Sequence, residues 1–147
     1  MSILDELQPT RRQRVYDLVH DAGVDVSDWE RTKGNSKSAA LNPSYCFNYS
    51  FIGEKALVVN LWHDKMVEEG GIVRYTFHPR RSIENATRKK LQLARHLDHT
   101  LRIAMTSSRP IRAIVVSGTR KDSGAKKTSV KRRLLDPVAW SVEAFDE

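Results

Sequence analysis

Residues 44–63 read SYCFNYSFIGEKALVVNLWH and contain two strand-like runs around Gly53-Glu54-Lys55. Apolar or aromatic side chains alternate with small or polar ones, which is typical of a β-hairpin with a short glycine-containing loop. A three-residue loop would place Asn48 opposite Asn60 on the neighbouring strand. In this register one face of the hairpin is hydrophobic and forms a core. The members of that face are Tyr45, Phe47, Tyr49, Phe51, Leu57, Val59 and Leu61.

The opposite face of the same hairpin is then polar and rich in amides. Asn48 and Asn60 would be neighbours on it, with Trp62 at one end. Asparagine amides pair with the edges of nucleobases, and an indole offers a plane for stacking. The alternative is that the two asparagines hydrogen-bond to each other and to the local backbone. Asparagine is disfavoured in the middle of a strand, and either base recognition or structural hydrogen bonding would explain its presence at both positions.

The rest of the chain predicts an α+β fold. Apolar spacing predicts a helix at about residues 11–22 and a longer one at about residues 83–105. Further strands are predicted at residues 72–78, 111–117, 130–135 and 139–145. We therefore expect a mainly antiparallel sheet of five or six strands packed against one long helix, plus an N-terminal helix. The length of 147 residues fits a single domain spanning residues 1–147.

The charge of the chain is basic and unevenly distributed. There are 25 Lys and Arg residues against 18 Asp and Glu, a net charge of +7. Residues 120–133 hold seven of the cations and one acidic residue, and such a clustered basic loop favours a nucleic-acid partner. The expected phosphate contacts are Arg88, Lys89, Arg120, Lys121, Lys126, Lys127, Lys131, Arg132 and Arg133.

The segment Val24–Pro43 is rich in turn-forming residues and contains Trp29 and Lys33. Trp29 either fills the edge of the core, as most tryptophans do, or stacks on a ligand. Lys33 precedes Gly34, which would let the backbone approach a partner closely. If that partner is DNA, the expected base-recognition residues come from this segment and the hairpin. They are Trp29, Lys33, Asn48, Asn60, Trp62 and His63.

The sequence offers few signs of metal or catalytic chemistry. The five histidines form no His-Glu-x-x-His motif and Cys46 is the single cysteine, so we expect no metal site and no cofactor. No phosphate loop or nucleophile elbow is present, so we expect no catalytic activity in this chain alone. The alternatives are a small metal-dependent nuclease using His63, Asp64 and His78, which follow predicted strand ends, and a protein-interaction module with a basic face.

Two features bear on location. No apolar run approaches the ~20 residues of a membrane span, so we expect no membrane partner. The chain starts with an acidic, amphipathic segment containing Asp5 and Glu6 rather than a basic segment followed by an apolar one, so no signal peptide is predicted. The lone cysteine is typical of a reducing compartment, and we expect a cytoplasmic protein.

Several segments in order resemble one known family. They are RVYDLVHDAGVDVSDW at 14–29, Lys33-Gly34, NPSYCFNYSF at 42–51, VVNLWH at 58–63 and RRLLDPVAWSVEAFD at 132–146. Over nearly the whole chain they resemble the N-terminal module of bacterial HNH-family endonucleases of the modification-dependent restriction type. In that family an HNH nuclease follows the module, and this chain contains no HNH motif. The resemblance implies a module that reads double-stranded DNA, with modified cytosine as a prospective target and the nuclease supplied elsewhere.

Overall fold

The computed structural model describes residues 2–27, 29, 45, 48–77, 88–120, 124, 126 and 128–143. The fold of this part of the chain is α+β, as predicted. Its helices and strands are, in order, α1 Ile3–Glu6, α2 Val15–Asp21, β1 Ser50–Ile52, β2 Leu57–Trp62, β3 Val67–Glu69, β4 Ile72–Arg74, α3 Arg88–Ser107, β5 Ile111–Thr119 and β6 Ser129–Leu135. A 3₁₀ turn, His63–Lys65, follows β2 directly.

The main sheet has four strands in the order β1-β2-β5-β6. It is mixed, because β2 and β5 run parallel while the two outer pairs are antiparallel. Helix α3 lies between β2 and β5 in the chain and so belongs to the long connection that a parallel pair requires. The prediction of a mainly antiparallel sheet of five or six strands is therefore wrong.

Two predicted strands lie outside this sheet. The strand predicted at residues 72–78 is seen as β4, and it pairs with β3 in a separate two-stranded sheet rather than with β2. Of the strand predicted at 139–145, the described residues show only an isolated bridge between Trp140 and Ile111. Because β4 lies in the separate sheet, Arg74 and Thr76 do not extend the face of the main sheet that carries Asn60.

The register of the β1–β2 hairpin differs by one residue from the predicted one. Ser50 pairs with Val59, and the connection from Gly53 to Ala56 is closed by a 2.9 Å hydrogen bond between their backbones. A one-residue shift exchanges the faces of a strand. The prediction of a single hydrophobic face is therefore wrong. Phe51 lies on the same face as Val58, and Leu57, Val59 and Leu61 lie on the opposite face.

Both faces of the sheet are buried. On one face, α2 and Trp29 pack against Phe51, Val58 and the even-numbered residues of β5. On the other, α1 and α3 pack against Leu57, Leu61 and the odd-numbered residues of β5. This two-sided burial is usual for parallel strands, and on β2 only Asn60 and Trp62 are partly exposed.

Helix α3 is fixed to the sheet by a buried pair of hydroxyl groups. Ser50 Oγ lies 2.9 Å from Thr100 Oγ1, and both side chains are fully buried. Thr100 also donates to the carbonyl oxygen of His96 at 2.9 Å. The predicted long helix is confirmed as α3, although residues 83–87 of the prediction lie outside the described residues.

The predicted N-terminal helix is shorter than expected, because residues 11–14 do not join α2. They lie beside the edge strand β6, where the backbone N–H of Arg133 donates to Arg11 O at 3.1 Å. Gln13 Nε2 donates to Arg133 O at 3.0 Å. These bonds cover backbone groups of an edge strand that would otherwise face solvent.

Candidate functional site

The carboxyl ends of β2 and β5 meet at one edge of the main sheet, and the antiparallel strands β1 and β6 begin there. In open sheets with parallel strands, ligands bind outside this end. We call this region the carboxyl edge. Its described residues include Asn48, Asn60, Trp62, Asp64, Arg120, Lys126 and Lys131.

A cluster of three side chains lies at the centre of the carboxyl edge. The half-buried indole of Trp62 packs on the core at the end of β2, and the guanidinium carbon of Arg120 lies 5.5 Å from its ring centroid. Arg120 Nη2 donates to Asp64 Oδ2 at 2.9 Å. The Arg120 side chain is only 13% exposed, so cation–π and ionic contacts both act in a mostly desolvated position. The structure thus brings together a predicted base contact and a predicted phosphate contact.

Asn60 lies one step further into the sheet, on the same face as Trp62. Its Nδ2 donates to the backbone oxygen of Asn48 at 3.0 Å, which matches the structural alternative for this pair. Its Oδ1 is buried and accepts no hydrogen bond from the described residues. A buried acceptor left without a donor costs about 1–3 kcal/mol. The structural role therefore explains the donor of this amide but not its acceptor.

Two of the predicted base contacts are engaged elsewhere. Trp29 is 4% exposed and stacks on Tyr45 and Phe51, with centroid distances of 5.4 and 5.9 Å. Trp29 is therefore a core residue, which was the alternative to stacking on a ligand. The His63 Nε2 atom lies 2.7 Å from the carbonyl oxygen of Leu4, to which it can donate, and so ties α1 to the end of β2. We leave both residues out of the candidate site.

Exposed cations surround the same edge. Thr100 packs near the start of β1, and Arg88, Lys89 and Lys90 lie roughly 15–18 Å further along the α3 axis. Arg109, just past the end of α3, donates from Nη2 to Gly53 O at 2.8 Å, so α3 ends beside the β1–β2 turn and begins towards the carboxyl edge. The first described turn of α3, with its three exposed cations, therefore lies on the side of the carboxyl edge.

The β5–β6 hairpin contributes the other cations. Lys126 is exposed in its loop, and Lys131 and Arg132 are exposed on β6. Arg133 differs from them, because its Nη1 donates to Gln13 O at 3.0 Å and holds residues 11–14 in place. The predicted contacts outside the described residues are Lys33, Lys121 and Lys127, together with His78 of the alternative nuclease.

Sequence reasoning missed three contributors. Lys90 follows two predicted phosphate contacts on the same helical turn, so its position could have been found from the sequence. Asp64 was considered only as a catalytic group, whereas it is the counter-ion of Arg120. Tyr75 accepts the Trp62 backbone N–H at 3.2 Å, and no local signal marks that long-range contact.

Within the described ranges, no three His, Cys, Asp or Glu side chains lie close enough to hold a metal ion. Among the described helices, none is long and apolar enough to cross a membrane. Comparison of the chain with known protein families, curated proteins and solved structures found no match.

Proposed function

We propose that this chain is a DNA-binding domain that reads a base, or a base modification, at the carboxyl edge. It would serve as the specificity module of a restriction endonuclease system whose nuclease is supplied elsewhere. One observation carries the proposal: a single sheet edge combines a stacking ring, an amide whose oxygen accepts no hydrogen bond from the described residues, and exposed cations. Those cations come from three separate segments: the first turn of α3, the β5–β6 loop and β6.

The exposed cations would hold the DNA backbone. Lysine and arginine contacts to phosphates fix the position of a protein on DNA without reading its sequence. Each phosphate neutralised on a duplex adds about 0.9 to the slope of log affinity against log salt concentration. Six of the exposed cations lie on the first described turn of α3, in the loop and on β6: Arg88, Lys89, Lys90, Lys126, Lys131 and Arg132. If all six made contacts, the slope would be roughly −5 to −6.

Trp62 would stack on the base, and Asn60 would accept a hydrogen bond from it after a local rearrangement that exposes the buried Oδ1. They lie two residues apart on one face of β2, so their Cα atoms are roughly 6.5 Å apart. A carboxamide oxygen accepts from the exocyclic amino group of cytosine or adenine. Methylation at carbon 5 leaves the cytosine amino group in place, so a modified cytosine fits this acceptor.

A matched pair of lysine variants tests where DNA binds. Lys126 and Lys55 are both exposed and both lie in strand connections, but Lys55 is in the β1–β2 turn at the opposite end of the sheet. Lys126→Glu and Lys55→Glu change the net charge equally. Fluorescence anisotropy with labelled duplex DNA at low salt should show about fivefold weaker binding for Lys126→Glu and less than about twofold for Lys55→Glu.

The results separate location from function. Equal losses in the two variants would contradict the carboxyl edge as the interface, and a wild-type protein that binds no DNA would contradict the function itself. Base reading is tested by measuring Asn60→Ala with two duplexes that carry cytosine or thymine at one position, because thymine lacks the amino group that Oδ1 would bind. The variant should lose discrimination between the two DNAs, whereas an equal loss of affinity for both would leave Asn60 with only a structural role.

A further inference from the structure

The arrangement of Trp62 and Arg120 restricts what kind of nucleotide the carboxyl edge can accept. The indole packs on the core and carries the Arg120 guanidinium over its ring. Arg120 is held in that place by Asp64, whose carboxylate is 57% exposed while the arginine is 13% exposed. The stacking plane is thus present but covered by a cation whose counter-ion faces solvent.

An indole plane recognises the face of a base rather than its edge. In a fully paired duplex, each base face is stacked on its neighbours, and the grooves expose only base edges. Proteins that use aromatic planes therefore bind bases that are single-stranded or extruded from the helix. Stacking of this kind is worth roughly 1–3 kcal/mol per base.

We infer that the ligand of this cluster is an unstacked DNA nucleotide, whose base replaces the Arg120 guanidinium on Trp62. Arg120 then leaves Asp64 and pairs with a neighbouring phosphate. The exchange replaces a carboxylate by a phosphate as the partner of the same guanidinium, so no buried charge is left alone. Asp64 competes with the phosphate for Arg120, so the Asp64–Arg120 ion pair must break before the base can bind. This inference rests on the proposed DNA-binding function.

The choice of DNA tests the nucleotide state. We would measure anisotropy with three labelled probes of one sequence: a single strand, a duplex with one mismatch and a fully paired duplex. The single strand or the mismatched duplex should bind about tenfold tighter than the paired duplex, with a change in tryptophan emission. Trp62→Leu should remove both the preference and the emission change.

A second pair of variants tests whether Asp64 competes with the nucleotide for Arg120, and it does not depend on the tryptophan substitution. Asp64 and Asp98 each pair with an arginine at 2.9 Å, but Asp98 pairs with Arg102 within α3. Asp64→Asn should strengthen binding of the single strand about threefold, since the competing carboxylate is lost. Asp98→Asn makes the same change of charge and should stay within about 1.5-fold of the wild type.

The outcomes distinguish binding of an unstacked nucleotide from DNA binding in general. Tight binding of the single strand alone identifies a single-stranded ligand, and tight binding of the mismatched duplex as well identifies an extruded base. Equal binding of all three probes with unchanged emission, or equal effects of Asp64→Asn and Asp98→Asn, would overturn the inference and leave DNA binding standing. Failure to bind any of the probes would overturn both.

Discussion

Replacing Asn60 by leucine should stabilise the fold and at the same time abolish base discrimination. Leucine has the same branching as asparagine at the γ position and a similar length, so it fits the half-buried site. The substitution removes two features of the amide. One is the bond from Nδ2 to Asn48 O, and the other is the buried Oδ1 that accepts no bond from the described residues.

The expected gain in the free energy of unfolding is the difference between the energies of these two features. Losing the Nδ2 bond costs about 0.5–1.5 kcal/mol, and Asn48 is partly exposed, so its carbonyl oxygen can bind water instead. Removing an unsatisfied buried acceptor returns about 1–3 kcal/mol. The net expectation is a gain of about 1 kcal/mol, which for 147 residues raises Tm by about 3 °C.

Urea denaturation and thermal unfolding measure this gain, and Asn48→Ala is the matched control. Because the acceptor in the pair is the backbone carbonyl of residue 48, that variant keeps the hydrogen bond, and its stability should stay within about 0.5 kcal/mol of the wild type. Anisotropy with the cytosine and thymine duplexes then measures discrimination. An Asn60→Leu protein that is less stable than the wild type by about 1 kcal/mol or more, or that still discriminates, would refute the reasoning.

Two further predictions concern the contact between α3 and the sheet. Thr100→Val should cost about 1–3 kcal/mol because it leaves the buried Ser50 hydroxyl without its partner, and adding Ser50→Ala should restore part of the loss. Urea denaturation measures both, and a double variant no more stable than Thr100→Val would contradict the pairing. Burial, with the nearby His99 as a second cause, lowers the pKa of His96 below its ordinary value of 6.5. The fold therefore favours the neutral imidazole, and stability should be full above about pH 6.5 and fall as the pH drops below it. His96→Gln should flatten this dependence in urea midpoints taken from about pH 7 to about pH 5, and an unchanged slope would exclude His96 as its source.

Two of the three described helices, α2 and α3, and the strands of the main sheet could be predicted from local patterns, whereas α1, β3 and the packing of helices on both faces of the sheet could not. The run Leu57-Val58-Val59 is apolar at consecutive positions, which is typical of a strand buried on both faces. The alternation predicted for a two-faced hairpin gave too little weight to that run. The pairing of β2 with β5 joins residues more than 50 positions apart, and no local signal specifies it.

The candidate site was predictable in its residue types and not in its geometry. Amide, indole and clustered cations pointed to Asn60, Trp62 and Arg120 from the sequence. That Arg120 lies on the Trp62 ring depends on the parallel pairing of β2 with β5, and so on the strand order. A tryptophan in a polar segment gives no indication of its depth, which is why Trp29 kept two interpretations until its burial was known.

The salt dependence of DNA affinity tests the role of the carboxyl edge most directly. The comparison is between the wild type and a variant in which Lys89, Lys90, Lys126 and Lys131 are all glutamine. Each lost phosphate contact makes the slope of log affinity against log salt shallower by about 0.9, so the variant should be shallower by roughly three to four. An unchanged slope would show that the phosphates bind elsewhere on the protein and would contradict the proposed interface.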